Sequence, residues 1–160
     1  MTYLKFFICI LAIVIASRVL PHPPNFTPLI ALSLYCPIFL GAGYIYAVLL
    51  SFVLTDIFIG FHQTLLFTWG SIFIIGILSR YFCRDFKKRI LGAFIASILF
   101  FIITNFGVYL TGMYEYSFDG LIKCYIMAIP FFTNTIVSTI IFSLVIEILI
   151  KISNQRIVVK

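Results

Sequence analysis

Leu20-Pro21-His22-Pro23-Pro24-Asn25-Phe26-Thr27-Pro28 separates two apolar runs and holds four of the chain's six prolines, with one of its two histidines. Proline locks φ, removes a backbone donor and pushes the residue before it toward extended conformations, so no helix runs through the middle of this stretch. A stiff, extended loop is expected, ending one helix and starting the next. Asn25 and Thr27 are each placed to offer a side-chain oxygen to the free N–H groups of the following helix, and a proline in a first turn costs little.

The runs on either side identify the solvent. Of 160 residues, 63% are hydrophobic and 10% charged, and the mean hydropathy is +1.20. About half apolar is ordinary for a soluble domain, so this composition points to an all-α, polytopic membrane bundle. At about 20 residues per crossing, the length allows one integral membrane domain over 1–160 of about six helices, with no room for a separate catalytic domain. Lys5, an apolar run and Ala16-Ser17 loosely resemble a signal peptide. Val14 is a mediocre residue for a cleavage site and the prolines follow at once, so the segment is read as a helix that stays.

Outward from the proline loop, the first helix is expected from about Tyr3 to Val19. Ala12 and Ala16 lie one turn apart on it, a spacing that lets another helix approach. The second span starts at Asn25 or Phe26 and runs through Pro37 to Leu40, before a Gly41-Ala42-Gly43 turn. The third covers Tyr44 to Ile59 and closes at Gly60-Phe61-His62-Gln63. The fourth covers Thr64 to about Phe82, the fifth Ile90 to Leu110 and the last about Tyr125 to Ile150. Between the last two, Thr111 to Lys123 is broken by glycines and acids and reads as a loop with a short interfacial helix.

The formal net charge of +6 is a matter of topology, not of nucleic acid. Arg80, Arg84, Lys87, Lys88 and Arg89 cluster against the single acid Asp85, and the positive-inside rule makes this loop cytoplasmic. Six spans then put both termini inside, where Lys5, Lys151, Arg156 and Lys160 agree. The proline loop, the Gly60 to Gln63 turn and the Thr111 to Lys123 segment fall outside. Cys9, Cys36, Cys83 and Cys124 are scattered, with no CxxC pair and no histidine at ligand spacing, so neither a metal nor a disulfide framework is expected.

With that orientation, His22, Asn25, Asp56, His62, Trp69, Asn105 and Asn134 share one outer layer, with Arg18 and Thr133 at similar depth. Ionisable groups inside a membrane are costly and usually face the bundle interior or a wet cavity, which makes Asp56 a functional candidate. Ser97, Phe101 and Asn105 share one helix face, and Asn134 and Ser138 another. These faces are expected to line a pocket for a small planar or amphipathic ligand beneath the proline loop. Each group also has a structural reading. Asp56 can pair with Arg18 or His62, the asparagines can bond between helices, and Trp69 can sit in an interfacial belt. The inner half reads as nearly bare, with Glu147 set to pair with Lys151 at i+4. No nucleophile, oxyanion hole or HExxH motif is present, so catalysis is not expected, and no cofactor either.

The runs R-V-L-P-H-P-P-N-F-T-P (Arg18 to Pro28), L-T-D-I-F-I-G-F-H (Leu54 to His62), F-F-I-I-T-N-F-G (Phe100 to Gly107) and A-I-P-F-F-T-N-T (Ala128 to Thr135) together resemble an uncharacterised family of small bacterial inner-membrane proteins. In size, helix number and layout that family looks like the substrate-binding S components of energy-coupling factor vitamin transporters. The resemblance implies capture of a vitamin-like molecule near the outer face, with the proline loop as lid. It also implies docking of Ala12 and Ala16 on a transmembrane T component driven by two ATPases. No Walker motif is present, so ATP hydrolysis would belong to partners. Cobalt and nickel members use an N-terminal histidine, whereas this chain begins Met1-Thr2-Tyr3, so metal is disfavoured. The alternative is a membrane scaffold or assembly factor without transport activity. A self-sufficient transporter is disfavoured by the lack of a charged path across the inner half.

Overall fold

The computed structural model describes residues 2–82 and 85–153. Cys83, Arg84, Arg156 and Lys160, all used in the sequence reading, lie outside these residues. The described residues hold seven α-helices and no strand. They are α1 (Thr2–Val19), α2 (Leu29–Leu40), α3 (Tyr44–Ile59), α4 (Leu65–Leu78), α5 (Phe86–Leu110), α6 (Phe118–Met127) and α7 (Ile129–Ser153), with a 3-10 turn, Ser79–Phe82, continuing α4.

The short helix α2 is the hub. Every residue from Leu29 to Phe39 is buried, and α3, α4, α5 and α7 all pack against it. A helix that is hydrophobic all round is stable only when surrounded in this way. Its 12 residues rise only about 18 Å. Pro37 lies within the helix, and the last turn is closed by Gly41 N–H on the Pro37 carbonyl, 3.2 Å away. Because α2 begins at Leu29 and not at Asn25 or Phe26, the upper end of the bundle, where residues 20–28 lie, is left hollow.

Three helices among the described residues are long and apolar enough to cross a membrane: Leu65–Phe82, Phe86–Leu110 and Ile129–Ser153. In the last two the polarity is inside-out. On α7 the buried residues are Thr135, Ser138, Thr139 and Ser143, while Val137, Ile141, Leu144, Val145 and Ile148 are exposed. On α5 the buried face is Arg89, Gly92, Ala93, Ala96, Ser97 and Gly107. Small residues facing inward with large apolar ones outward suit packing between helices in lipid, where no hydrophobic force drives the helices together. Gly92 shows how tight this is, since a Cβ there would lie 2.6 Å from the Phe82 ring.

Two further boundaries differ from the expected ones, each for a local reason. Helix α5 starts four residues before Ile90, because the Asp85 side chain accepts from the Lys88 N–H at 2.9 Å and caps it. That places Arg89 inside the helix, where it is 8% exposed, and not in a solvated basic loop. At the other end, the expected last span from Tyr125 is two helices. Ser117 caps α6 through Gly120 N–H, and the chain breaks at Ala128, where Pro130 has no N–H to give the Ile126 carbonyl.

The lower half is not bare either. Arg89 Nε and Nη2 donate to Glu147 Oε1 and Oε2 at 2.5 and 2.8 Å, so Glu147 pairs across helices with Arg89, not along its own helix with Lys151. Thr135, Thr139, Ser143 and Glu147 follow one another at i+4 on α7, one stripe on the helix surface. The Tyr35 hydroxyl, also buried, lies against Glu147 and Ser143, and the Thr139 hydroxyl is buried without a hydrogen-bond partner.

Candidate functional site

The loop that closes the upper end is built as a turn. Phe26 N–H bonds the Pro23 carbonyl at 3.0 Å, with Pro24 and Asn25 between them and Asn25 at φ +63°. Proline first and a left-handed residue second is the type II pattern, and asparagine tolerates that region better than most residues. Helix α7 then holds the turn by its carbonyls. Asn134 Nδ2 donates to Pro24 O at 3.1 Å, and the Ser138 hydroxyl shares its one proton between the Thr135 carbonyl of its own helix at 3.1 Å and Asn25 O at 3.3 Å. The expected capping of α2 by Asn25 or Thr27 does not occur, because Pro28 is the N-cap residue and no side chain bonds the first turn.

Beneath and beside the turn lies a cavity of about 670 Å³. Its floor is the start of α2, Leu29 and Ile30, and its walls come from α1, α3, α4, α5, α6 and α7. Such a volume falls within the range of small-molecule sites. The wall is mainly aromatic and aliphatic. Phe101 and Phe132 stack across α5 and α7 with centroids 4.3 Å apart, and Phe52, Phe100, Phe131 and Tyr114 add further rings. Polar groups are spaced around them: hydroxyls of Thr27, Thr64, Thr68, Thr104 and Thr135, the amide of Asn105, and the Arg18 guanidinium. No Asp or Glu lines the cavity.

One wall has a charged support behind it. Arg18 Nη1 donates to Asp56 Oδ1 at 2.5 Å and to Thr55 Oγ1 at 2.9 Å. Asp56 has no exposure and its second oxygen accepts the Trp69 indole N–H at 2.7 Å. The guanidinium also lies 4.6 Å from the centroid of the Phe52 ring. Three helices thus combine to hold one cation at the cavity wall, with the carboxylate sealed behind it. A buried charge is tolerable only when paired and hydrogen-bonded in this manner.

Over residues 2–158 the sequence matches the model of a family of unknown function, DUF6580. The chain belongs to that family. No curated protein matches it, and no solved structure does.

In this DUF6580 chain the sequence-derived residues divide into two sets. His22, Asn25, His62 and Asn105 line the cavity. Asp56, Trp69 and Asn134 do not: the first two form the support behind Arg18, and Asn134 is the clasp on the loop. His22 Nδ1 lies 2.6 Å from the Leu20 carbonyl, which can only accept, so that nitrogen carries the proton. His62 Nδ1 lies 3.0 Å from Thr64 Oγ1. Asn105 Nδ2 is turned back onto the Phe101 carbonyl at 2.8 Å. Of the expected faces, Phe101 and Asn105 reach the cavity and Ser97 is buried below it, bonded to the Ala93 carbonyl. Arg18 belongs with the cavity residues, and its signal was a cation at the end of one span matched in depth to an acid in another. Ala12 and Ala16 are exposed on α1, opposite buried Ile10 and Val14, and α1 packs chiefly on α3.

Proposed function

We propose that this chain is the substrate-capture subunit of a multi-component micronutrient importer, similar to an energy-coupling factor S component. The observation that carries the reading is the cavity of about 670 Å³ at the loop end, its edge formed by a turn clasped to α7 through backbone carbonyls. A scaffold has no need of an aromatic cavity with hydroxyls and an amide on its wall. In this reading the chain crosses the bacterial plasma membrane about six times with both termini in the cytoplasm, the cavity opens outward, and the turn is a lid. The exposed Ala12 and Ala16 leave one side of α1 open for a T component.

The test is ligand binding by the purified chain in lipid nanodiscs. Against a panel of vitamins, their precursors and nucleobases, one compound is expected to raise the unfolding temperature and to give a saturable heat in calorimetry. Replacing Asn105 by Ala is expected to weaken that binding while leaving the unfolding temperature of the free protein within a few degrees. A panel with no shift and no heat, together with uptake unaffected by deleting the chain, would overturn the proposal in favour of a scaffold.

A further inference from the structure

The cavity wall says what kind of molecule it takes, provided that it is a ligand site as proposed above. Both hydrogen bonds of Arg18 leave from Nη1, so the edge made by Nε and Nη2 keeps its donors. The side chain is 17% exposed and lines the cavity. Asp56 and Trp69 lie behind it, so the ion pair is a dipole with its positive end toward the hollow. The floor beside it, Leu29 and Ile30 at the start of α2, is buried and apolar.

With no carboxylate on the wall, a cationic ligand finds no counter-charge. A dianion such as a phosphate monoester fits poorly, because Asp56 already neutralises the guanidinium. A single planar carboxylate matches what remains, since one guanidinium edge binds it through two parallel hydrogen bonds. The Phe101 and Phe132 stack and the neighbouring rings then provide faces for a flat, unsaturated body. We infer that the ligand is an aromatic monocarboxylate, its carboxylate held by the open edge of Arg18 and its ring held by the Phe101 and Phe132 wall.

Matched pairs of probes test this: benzoate with benzamide, 2-naphthoate with 2-naphthamide, and indole-3-carboxylate with its carboxamide. Binding is measured by calorimetry on the full chain in phosphatidylcholine nanodiscs. The expected result is that at least one carboxylate binds tenfold or more tightly than its amide. Arg18→Gln alone leaves Asp56 buried without its cation, so the informative variant is Arg18→Gln with Asp56→Asn, which keeps an acceptor for the Trp69 N–H. It is expected to retain the wild-type unfolding temperature within a few degrees and to reduce the carboxylate preference to threefold or less. An amide that binds as well as its carboxylate overturns the inference while leaving the cavity reading intact, as does a preference that survives in the double variant. Failure of every pair overturns it too, and the cavity reading falls with it only when the wider vitamin and nucleobase panel also fails.

Discussion

Glu147 and Arg89, 58 positions apart, meet as a two-bond fork in the lower half of the bundle. The Arg89 guanidinium also lies 5.2 Å from the Phe39 ring centroid, so the pair ties α5 and α7 to the end of α2. Removing one partner of a buried pair strands the other charge, which typically costs about 3–5 kcal/mol, whereas an apolar replacement of both is often neutral. Glu147→Leu is therefore expected to lower stability by about 3 kcal/mol, and Arg89→Met with Glu147→Leu to recover most of the loss. Denaturant titration in micelles reads both. Lys151→Ala is expected to change stability by less than about 0.5 kcal/mol, as for other surface substitutions.

A prediction about the loop follows from the φ of +63° at Asn25. Asn25→Gly keeps the left-handed turn and is expected to alter stability by less than about 1 kcal/mol. Asn25→Val puts a β-branched residue there and is expected to cost about 1–2 kcal/mol. Thermal unfolding of the two variants side by side checks the order.

The clasp is separable from the turn. Asn134→Ala deletes the bond to the Pro24 carbonyl and Ser138→Ala the shared one to the Asn25 carbonyl, and together they are expected to favour opening of residues 20–28 by about 1–2 kcal/mol. That corresponds to an increase of about five- to thirtyfold in the open population. Hydrogen exchange at the Phe26 amide reports it directly. Unchanged exchange would mean that the prolines alone hold the loop.

Packing at Gly92 offers a further check. Gly92→Val must push Phe82 aside, and overpacking of this kind typically costs about 1–3 kcal/mol. Gly70, where a Cβ would meet nothing within 4 Å, is the control. Gly70→Ala is expected to be neutral or slightly stabilising, since a helix interior prefers alanine to glycine by about 0.5–1 kcal/mol.

By itself the sequence determined the helical class, the proline loop, the glycine turns after Leu40 and Ile59, and a layer of polar groups at one end. These are local consequences of proline and glycine backbones and of an apolar composition. Tertiary structure alone decided which way each helix faces. Where every side of a helix is apolar, as on α2, periodicity carries no information about rotation, and packing of small residues sets it instead. Hence Asp56 turned away from the cavity and Arg18 toward it, Asn134 met the loop backbone, and Glu147 found Arg89 across the bundle rather than Lys151 one turn on. The hollow above Leu29 has the same origin: the four prolines of residues 20–28 delay the start of α2, but only the helices around it turn that missing length into a cavity.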